Sequence, residues 1–426
     1  MSKRQKQYGF RTAFRDFFVA SKEEQEGGVN ERIGGLRSYL DKLKPSFNVG
    51  GRFSWLHSTF EAFETFAFTP NKVTKNGCHV RDAVDLKRAM ITVVVALIPA
   101  MLFGMWNIGY QTSLHAADWP FQLGTSASWW YCLWFGFLRM LPLLATSYIV
   151  GLTIEFAFAQ IRHHEVNEGF LVTGFLIPMI VPVTTPLWQL ALATAFAVII
   201  GKEAFGGTGM NFLNPALVAR AFLFFAYPTR MSGDNVWIAA DLWGTDAIAG
   251  ATPLAELASG TQLSVSALDM FIGIIPGSTC ETSVIAVVLG AILLLLTGIA
   301  SWRIMLSVIL GGGLMGVTFN LIGANEYMQL PFYYHYLMGG FAFGTVFMAT
   351  DPVTASQTNI GKWIYGLLIG IFAVMLRVLN PAYPEGMMLS ILLMNCFAPL
   401  IDHCVIARNI TKRKKRALVH QKATVQ

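Results

Sequence analysis

Between residues 89 and 407 the chain repeats one pattern, an apolar run close to 20 residues long followed by a short polar break. A helix of about 20 apolar residues crosses the hydrocarbon layer of a bilayer. Lipid leaves no water for unpaired backbone groups, so such runs fold as helices that bond within themselves. Composition points the same way. Of 426 residues, 54% are hydrophobic and 13% charged, with a mean hydropathy of +0.51. Soluble domains carry about 25% charged residues. The deficit excludes a soluble enzyme, whose surface these residues cannot supply, and a disordered chain, which needs low hydrophobicity. Cys78, Cys132, Cys280, Cys396 and Cys404 are odd in number and scattered, which excludes a disulfide scaffold.

The expected fold is an all-α polytopic membrane protein of about ten transmembrane helices. Spans are predicted near 89–111, 140–161, 169–186, 187–201, 211–228, 283–300, 302–323, 333–350, 363–380 and 387–407. This divides the chain into a basic N-terminal segment (1–88), a first transmembrane half (89–228), a loop (229–282), a second half (283–407) and a basic tail (408–426). More than half of the 31 Lys and Arg residues lie in 1–88, and a second group surrounds Lys412-Arg413-Lys414-Lys415-Arg416. The net charge of +6 therefore belongs to two tails. Basic tails beside apolar spans mark the cytoplasmic side, and no nucleic-acid partner is expected. With both termini inside, inner loops hold Arg162, Lys202, Arg303 and Lys362. The outer loops at 112–128 and 324–332 have no Lys or Arg, and 229–282 sets Arg230 against Asp234, Asp241, Asp246, Glu256, Asp269 and Glu281. Arg377, near an outer end, is the misfit and is expected to face a cavity. The opening MSKRQKQYGFR has no early apolar run, so no cleavable signal peptide is expected.

Each half contains an interrupted stretch at membrane depth. The first runs from Gly206 through Asn211 and Asn214 to Pro215; the second is Met348-Ala349-Thr350-Asp351-Pro352-Val353-Thr354-Ala355-Ser356. Corresponding Gly/Pro breaks in two halves suggest an internal duplication and a central binding site. Soluble-enzyme motifs are absent. There is no G-x-x-x-x-G-K-[ST], no H-E-x-x-H and no C-x-x-C, so no metal site is expected, and His163-His164 reads as a solvated pair.

Taken bottom-up, Gly250-Ala251-Thr252 is a small-residue turn with an exposed hydroxyl. The longer string Asp246-Ala247-Ile248-Ala249-Gly250-Ala251-Thr252 resembles the flavinylation signature D-x-x-[S/T]-G-A-[S/T], with Ala249 in place of its first hydroxyl residue. Other strings extend the likeness: His79-Val80-Arg81-Asp82-Ala83-Val84-Asp85, His164-Glu165-Val166-Asn167-Glu168-Gly169-Phe170, the 206–215 break, and Asn380-Pro381-Ala382-Tyr383-Pro384-Glu385-Gly386. Together, from about residue 60 to 416, they resemble the B-type membrane subunits of the Na⁺-translocating NADH:quinone oxidoreductases (Na⁺-NQR). The D-type subunits of the Rnf electron-transport complexes are a related family, but they lack the long N-terminal segment.

The resemblance implies a bacterial inner-membrane subunit of two similar, inverted five-helix halves, urea-transporter-like, with both termini cytoplasmic. Thr252 would carry covalent FMN through a phosphoester attached by a flavin transferase, with Asp246, Gly250 and Ala251 completing the motif. A second, non-covalent riboflavin belongs to the family, and Asn211 and Asn214 are the candidates for its surroundings, since amides suit the flavin N3–H and carbonyls. Gly151, in Val150-Gly151-Leu152-Thr153-Ile154-Glu155, matches a glycine of the family's quinone site, where Leu152 replaces a second one. Glu155 and Asp402 match acidic positions linked to Na⁺ uptake. Electrons would pass to ubiquinone while Na⁺ crosses from cytoplasm to periplasm. The NADH site and iron–sulfur cluster would lie on partners among the A-, C-, D-, E- and F-type subunits of the Na⁺-NQR complex. A solute channel of urea-transporter type is the alternative that the five-plus-five architecture also resembles.

Overall fold

The computed structural model describes residues 86–115, 120, 125–162, 169–231, 237–239, 251–261, 263–380 and 385–425, with isolated positions 43–45, 47, 60 and 78. Residues 82–155 and 168–426 form one compact unit, and residues 1–81 with 156–167 form another. Most of the second unit, with His163-His164 and the 79–85 string, lies outside the described residues. In its described helical part, the Arg162 guanidinium stands 5.2 Å from the centre of the Phe158 ring.

The larger unit is all-helical among its described residues. Its principal helices are α1 (Leu86–His115), α2 (Ser126–Arg162), α3 (Phe170–Met179), α4 (Leu187–Ile199), α5 (Pro215–Ala226), α6 (Val284–Thr297), α7 (Trp302–Ile322), α8 (Asn359–Leu379) and α9 (Met387–Val425). Six helical stretches among the described residues are long and apolar enough to cross a membrane. Their outward faces, and those of the shorter helices, carry large apolar side chains such as Trp130, Phe225, Leu314 and Leu321. Bare apolar surface on this scale belongs against lipid. The chain is a polytopic helical membrane protein.

Several segments differ from the expected spans. The helix predicted at 140–161 begins at Ser126, and the tail predicted from 408 continues α9 without a break to Val425. The apolar runs at 169–186, 211–228 and 283–300 form α3, α5 and α6, of 10, 12 and 14 residues. At 1.5 Å per residue, α3 covers about 15 Å, half of a bilayer core. Prolines cut it: Pro178 lies in its last turn, and Pro182 and Pro186 follow. The run at 333–350 is broken into Tyr334–Leu337, Phe341–Phe343 and a π-turn over Gly344–Met348. Hydropathy registers an apolar run and is blind to whether its backbone is helical.

Broken backbone at this depth needs partners, and two arrangements supply them. The end of α3 and the chain just after it meet the turn before α6: Cys280 N donates to Met179 O at 3.0 Å, and the Thr279 hydroxyl donates to Val181 O at 2.6 Å. Arg377, fully buried in α8, donates to His335 O at 2.6 Å and Met338 O at 3.0 Å. The misfit arginine thus serves the carbonyls of the broken 333–350 segment. Elsewhere α7 and α8 pack along each other, with Gly311 and Gly370 placing each helix against the other's backbone.

Candidate functional site

The break before α5 is built on glycine. Gly206, Gly207 and Gly209 have φ of 116°, 93° and 91°, a region that side chains with a Cβ avoid. The turn ends at Asn214, whose Oδ1 accepts from Ala216 N at 3.0 Å and caps α5, with Pro215 in the first turn. The Asn214 Nδ2 donates to Asp351 Oδ2 at 3.4 Å, so the two breaks, 137 residues apart, meet. Asp351 in turn accepts from Val353 N at 3.1 Å and from the Thr354 hydroxyl at 2.9 Å. A cavity of about 110 Å³ opens here, its polar wall formed by Lys202, Thr208, Asn211, Asn214, Thr350 and Asp351. Asn211 spends its Nδ2 on Leu213 O at 3.0 Å. Among the described residues, the buried Thr208 hydroxyl has no hydrogen-bond partner. A buried polar atom left in that state fits a wall that receives a hydrogen-bonding ligand.

Beside this cavity lies Glu155. It is buried in α2 and ion-paired with Lys202, which is buried just beyond α4. Lys202 is therefore no solvated loop residue, as its position between two apolar runs suggests; the carboxylate draws it inward, since a buried charge needs a partner. The Lys202 ammonium stands 5.9 Å from the centre of the Phe170 ring. Gly151 packs against that same ring, leaving no room for a Cβ. The candidate quinone and Na⁺ positions are thus joined through Phe170, Lys202 and Glu155.

A second cavity, of about 70 Å³, lies along α5 beyond Arg220. Thr252, half-buried, lines it and caps the short helix Pro253–Ala258 by accepting from Ala255 N at 3.2 Å. Its neighbours Ala251 and Ala255 are small, and the hydroxyl hydrogen is not used by the cap. Both features suit a phosphoester. Asp246 and Gly250 lie outside the described residues. The polar wall holds Arg220, ion-paired with Glu385 and, at 3.5 Å, with Glu281. The Ser278 hydroxyl accepts from Arg220 at 3.4 Å. Among the described residues, neither carboxylate oxygen of the buried Glu281 accepts a hydrogen bond, and Arg220 is its ion-pair partner.

Asp402 stands apart from both cavities and half-buried on α9. Its carboxylate accepts from the Ser356 hydroxyl at 2.7 Å, Gln357 N at 2.7 Å, Thr358 N at 3.0 Å and the Thr358 hydroxyl at 2.6 Å. It ties the start of α8 to α9.

Sequence reasoning missed Arg220, the role of Lys202, and the depth of Glu281. Arg220 is visible as the one charge inside the apolar run 211–228, a signal that marks an intramembrane site. Lys202 and Glu281 lie at run edges, where charge is expected and carries no such signal.

An all-helical membrane protein, with two broken helices meeting at a polar cavity, is the class that this architecture defines. The model of the NQR2, RnfD, RnfE family matches residues 73–411, and the chain belongs to that family. It is 50% identical over 405 residues to the B subunit of the Na(+)-translocating NADH-quinone reductase of Ectopseudomonas mendocina, covering 90% of this chain and 99% of that one. The corresponding protein of Azotobacter vinelandii is 49% identical, covering 89% and 99%. That of Chromohalobacter salexigens is 48% identical, covering 92% and 98%.

Proposed function

We propose that this chain is the flavin-carrying membrane subunit of a Na⁺-pumping NADH:quinone reductase. The relatives that bear the reductase name match it almost end to end, which supports a place in the same multi-subunit complex. In this reading it lies in a bacterial inner membrane with both termini cytoplasmic and Na⁺ moving outward to the periplasm. The observation that carries the flavin assignment is Thr252, whose hydroxyl ends the flavinylation string and faces a cavity at a helix cap. Thr252 would hold FMN, placed there by a flavin transferase. Asn211, Asn214 and Thr208 would hold riboflavin at the larger cavity. When bound, these flavins supply electron carriers between a partner subunit and ubiquinone.

The protein's own residues do the positioning. The Asn211 carbonyl and the Thr208 hydroxyl offer hydrogen bonds on the polar side of the cavity, opposite apolar residues such as Val93, Leu176 and Phe347. Na⁺ uptake is assigned to Glu155 and Asp402, with Gly151 at the quinone position. Sodium prefers several oxygen ligands, and the Ser356 and Thr358 hydroxyls beside Asp402 extend that carboxylate into a cluster of oxygens.

The test is a denaturing gel of the purified protein, co-expressed with its flavin transferase, viewed under ultraviolet light. Fluorescence is expected in the wild type and lost in Thr252→Val. A dark wild-type band would sink the flavin assignment.

A further inference from the structure

We propose that Lys202 is a tethered counter-cation: its ammonium holds the Glu155 carboxylate until Na⁺ arrives, and its withdrawal sets how tightly Na⁺ binds there. This rests on the reading of Glu155 as a Na⁺ ligand and adds the residue that governs it.

The geometry is direct. Glu155 and Lys202 are both buried and ion-paired, so little water is at hand to replace either partner when the pair opens. Two cations on one carboxylate repel each other strongly in a medium of low dielectric. Na⁺ therefore binds Glu155 more tightly as Lys202 leaves. A lysine can leave: it is a point charge on a flexible four-carbon stem, unlike the rigid fork of arginine. It also has a destination. Lys202 lines the 110 Å³ cavity whose polar wall includes Asp351, a carboxylate with amide and hydroxyl donors around it but no ion pair among the described residues. Glu203, next in the chain, is buried too. The Phe170 ring, 5.9 Å from the ammonium, offers a face that a cation can pass without full loss of favourable contact. Because Phe170 also packs on Gly151, the lysine's movement would be felt at the quinone position.

The experiment uses the assembled, flavin-loaded complex and measures the Na⁺ concentration giving half-maximal quinone reduction, together with equilibrium binding of radioactive Na⁺. Lys202→Met keeps the stem and removes the competitor, so half-saturating Na⁺ is expected to fall roughly tenfold, within the usual range for coupled ligands. Lys202→Arg, which keeps the charge but resists withdrawal, is expected to raise it. These opposite directions separate competition from a merely structural role. Unchanged or weakened Na⁺ binding in Lys202→Met overturns the proposal, and if that variant does not assemble, an unchanged value in Lys202→Arg does so. Glu155→Gln distinguishes the parent reading: if its Na⁺ dependence equals wild type, Glu155 is no ligand. If Na⁺ dependence is lost there but untouched in Lys202→Met, the lysine's role alone fails.

Discussion

Near the start of α5, Lys202 and Glu155 form a one-to-one ion pair beside the larger cavity, with Asp351 on the cavity wall. Further along that helix, Arg220 is shared between Glu281 and Glu385 beside the smaller one. Both sites are buried and bordered by broken backbone, yet the cation differs in kind. Arginine's planar fork holds several acceptors in one fixed geometry; lysine is a point charge on a flexible stem and can let go. The first pair is suited to exchange, the second to fixing the turn that leads into α6. Charge balance alone would rank the two alike, and the choice of cation separates them.

The largest expected effect follows from the shared arginine. Arg220→Met leaves two carboxylates without their cation, and breaking a buried pair from one side costs about 3–5 kcal/mol. Thermal unfolding of the detergent-solubilised complex should show a marked fall in stability. A variant as stable as wild type would mean that Glu281 and Glu385 do not depend on Arg220. Gly151→Ala comes next. Its methyl must push aside the Phe170 ring, and overpacking of this kind costs about 1–3 kcal/mol. The quinone concentration for half-maximal rate should change while flavin fluorescence on the gel stays, confining the damage to the lysine side. The smallest effect is Asn214→Ala, where loss of a helix cap costs about 1 kcal/mol. If it proves costlier than Arg220→Met, the contact between the two breaks, and not the arginine cluster, is the stronger element.

Much of the architecture was legible because lipid imposes a length and forbids exposed backbone. α1, α7 and α8 begin and end close to their predicted limits. The half-length α3 was not legible, since Phe170–Met179 and the non-helical residues after it form one apolar run. What ends that helix is proline chemistry, and what allows it to end is a bond to Thr279 from a distant segment. The site was legible in part. Asn211, Asn214 and Asp351 announced themselves as polar residues in glycine- and proline-broken runs, and the structure brings them to one cavity. Lys202 hid because a lysine at the end of a run looks like a surface charge. Only its pairing with Glu155, 47 residues earlier, shows otherwise. Asp402 was noticed for its charge, but its four donors come from a segment that sequence proximity does not connect to it.

The bonds from Cys280 and Thr279 to the carbonyls after α3 also bear on how the protein is made. Val181 and Thr279 are 98 residues apart, so the earlier segment leaves the ribosome well before its partner exists. During that interval the Met179 and Val181 carbonyls lack these donors, and the hydrocarbon offers none. These two carbonyls gain those donors only once residues 278–283 have been made. Biogenesis of this chain is therefore not a sequence of independent helix insertions. One early segment gains its full set of hydrogen-bond partners only after a much later one has been synthesised.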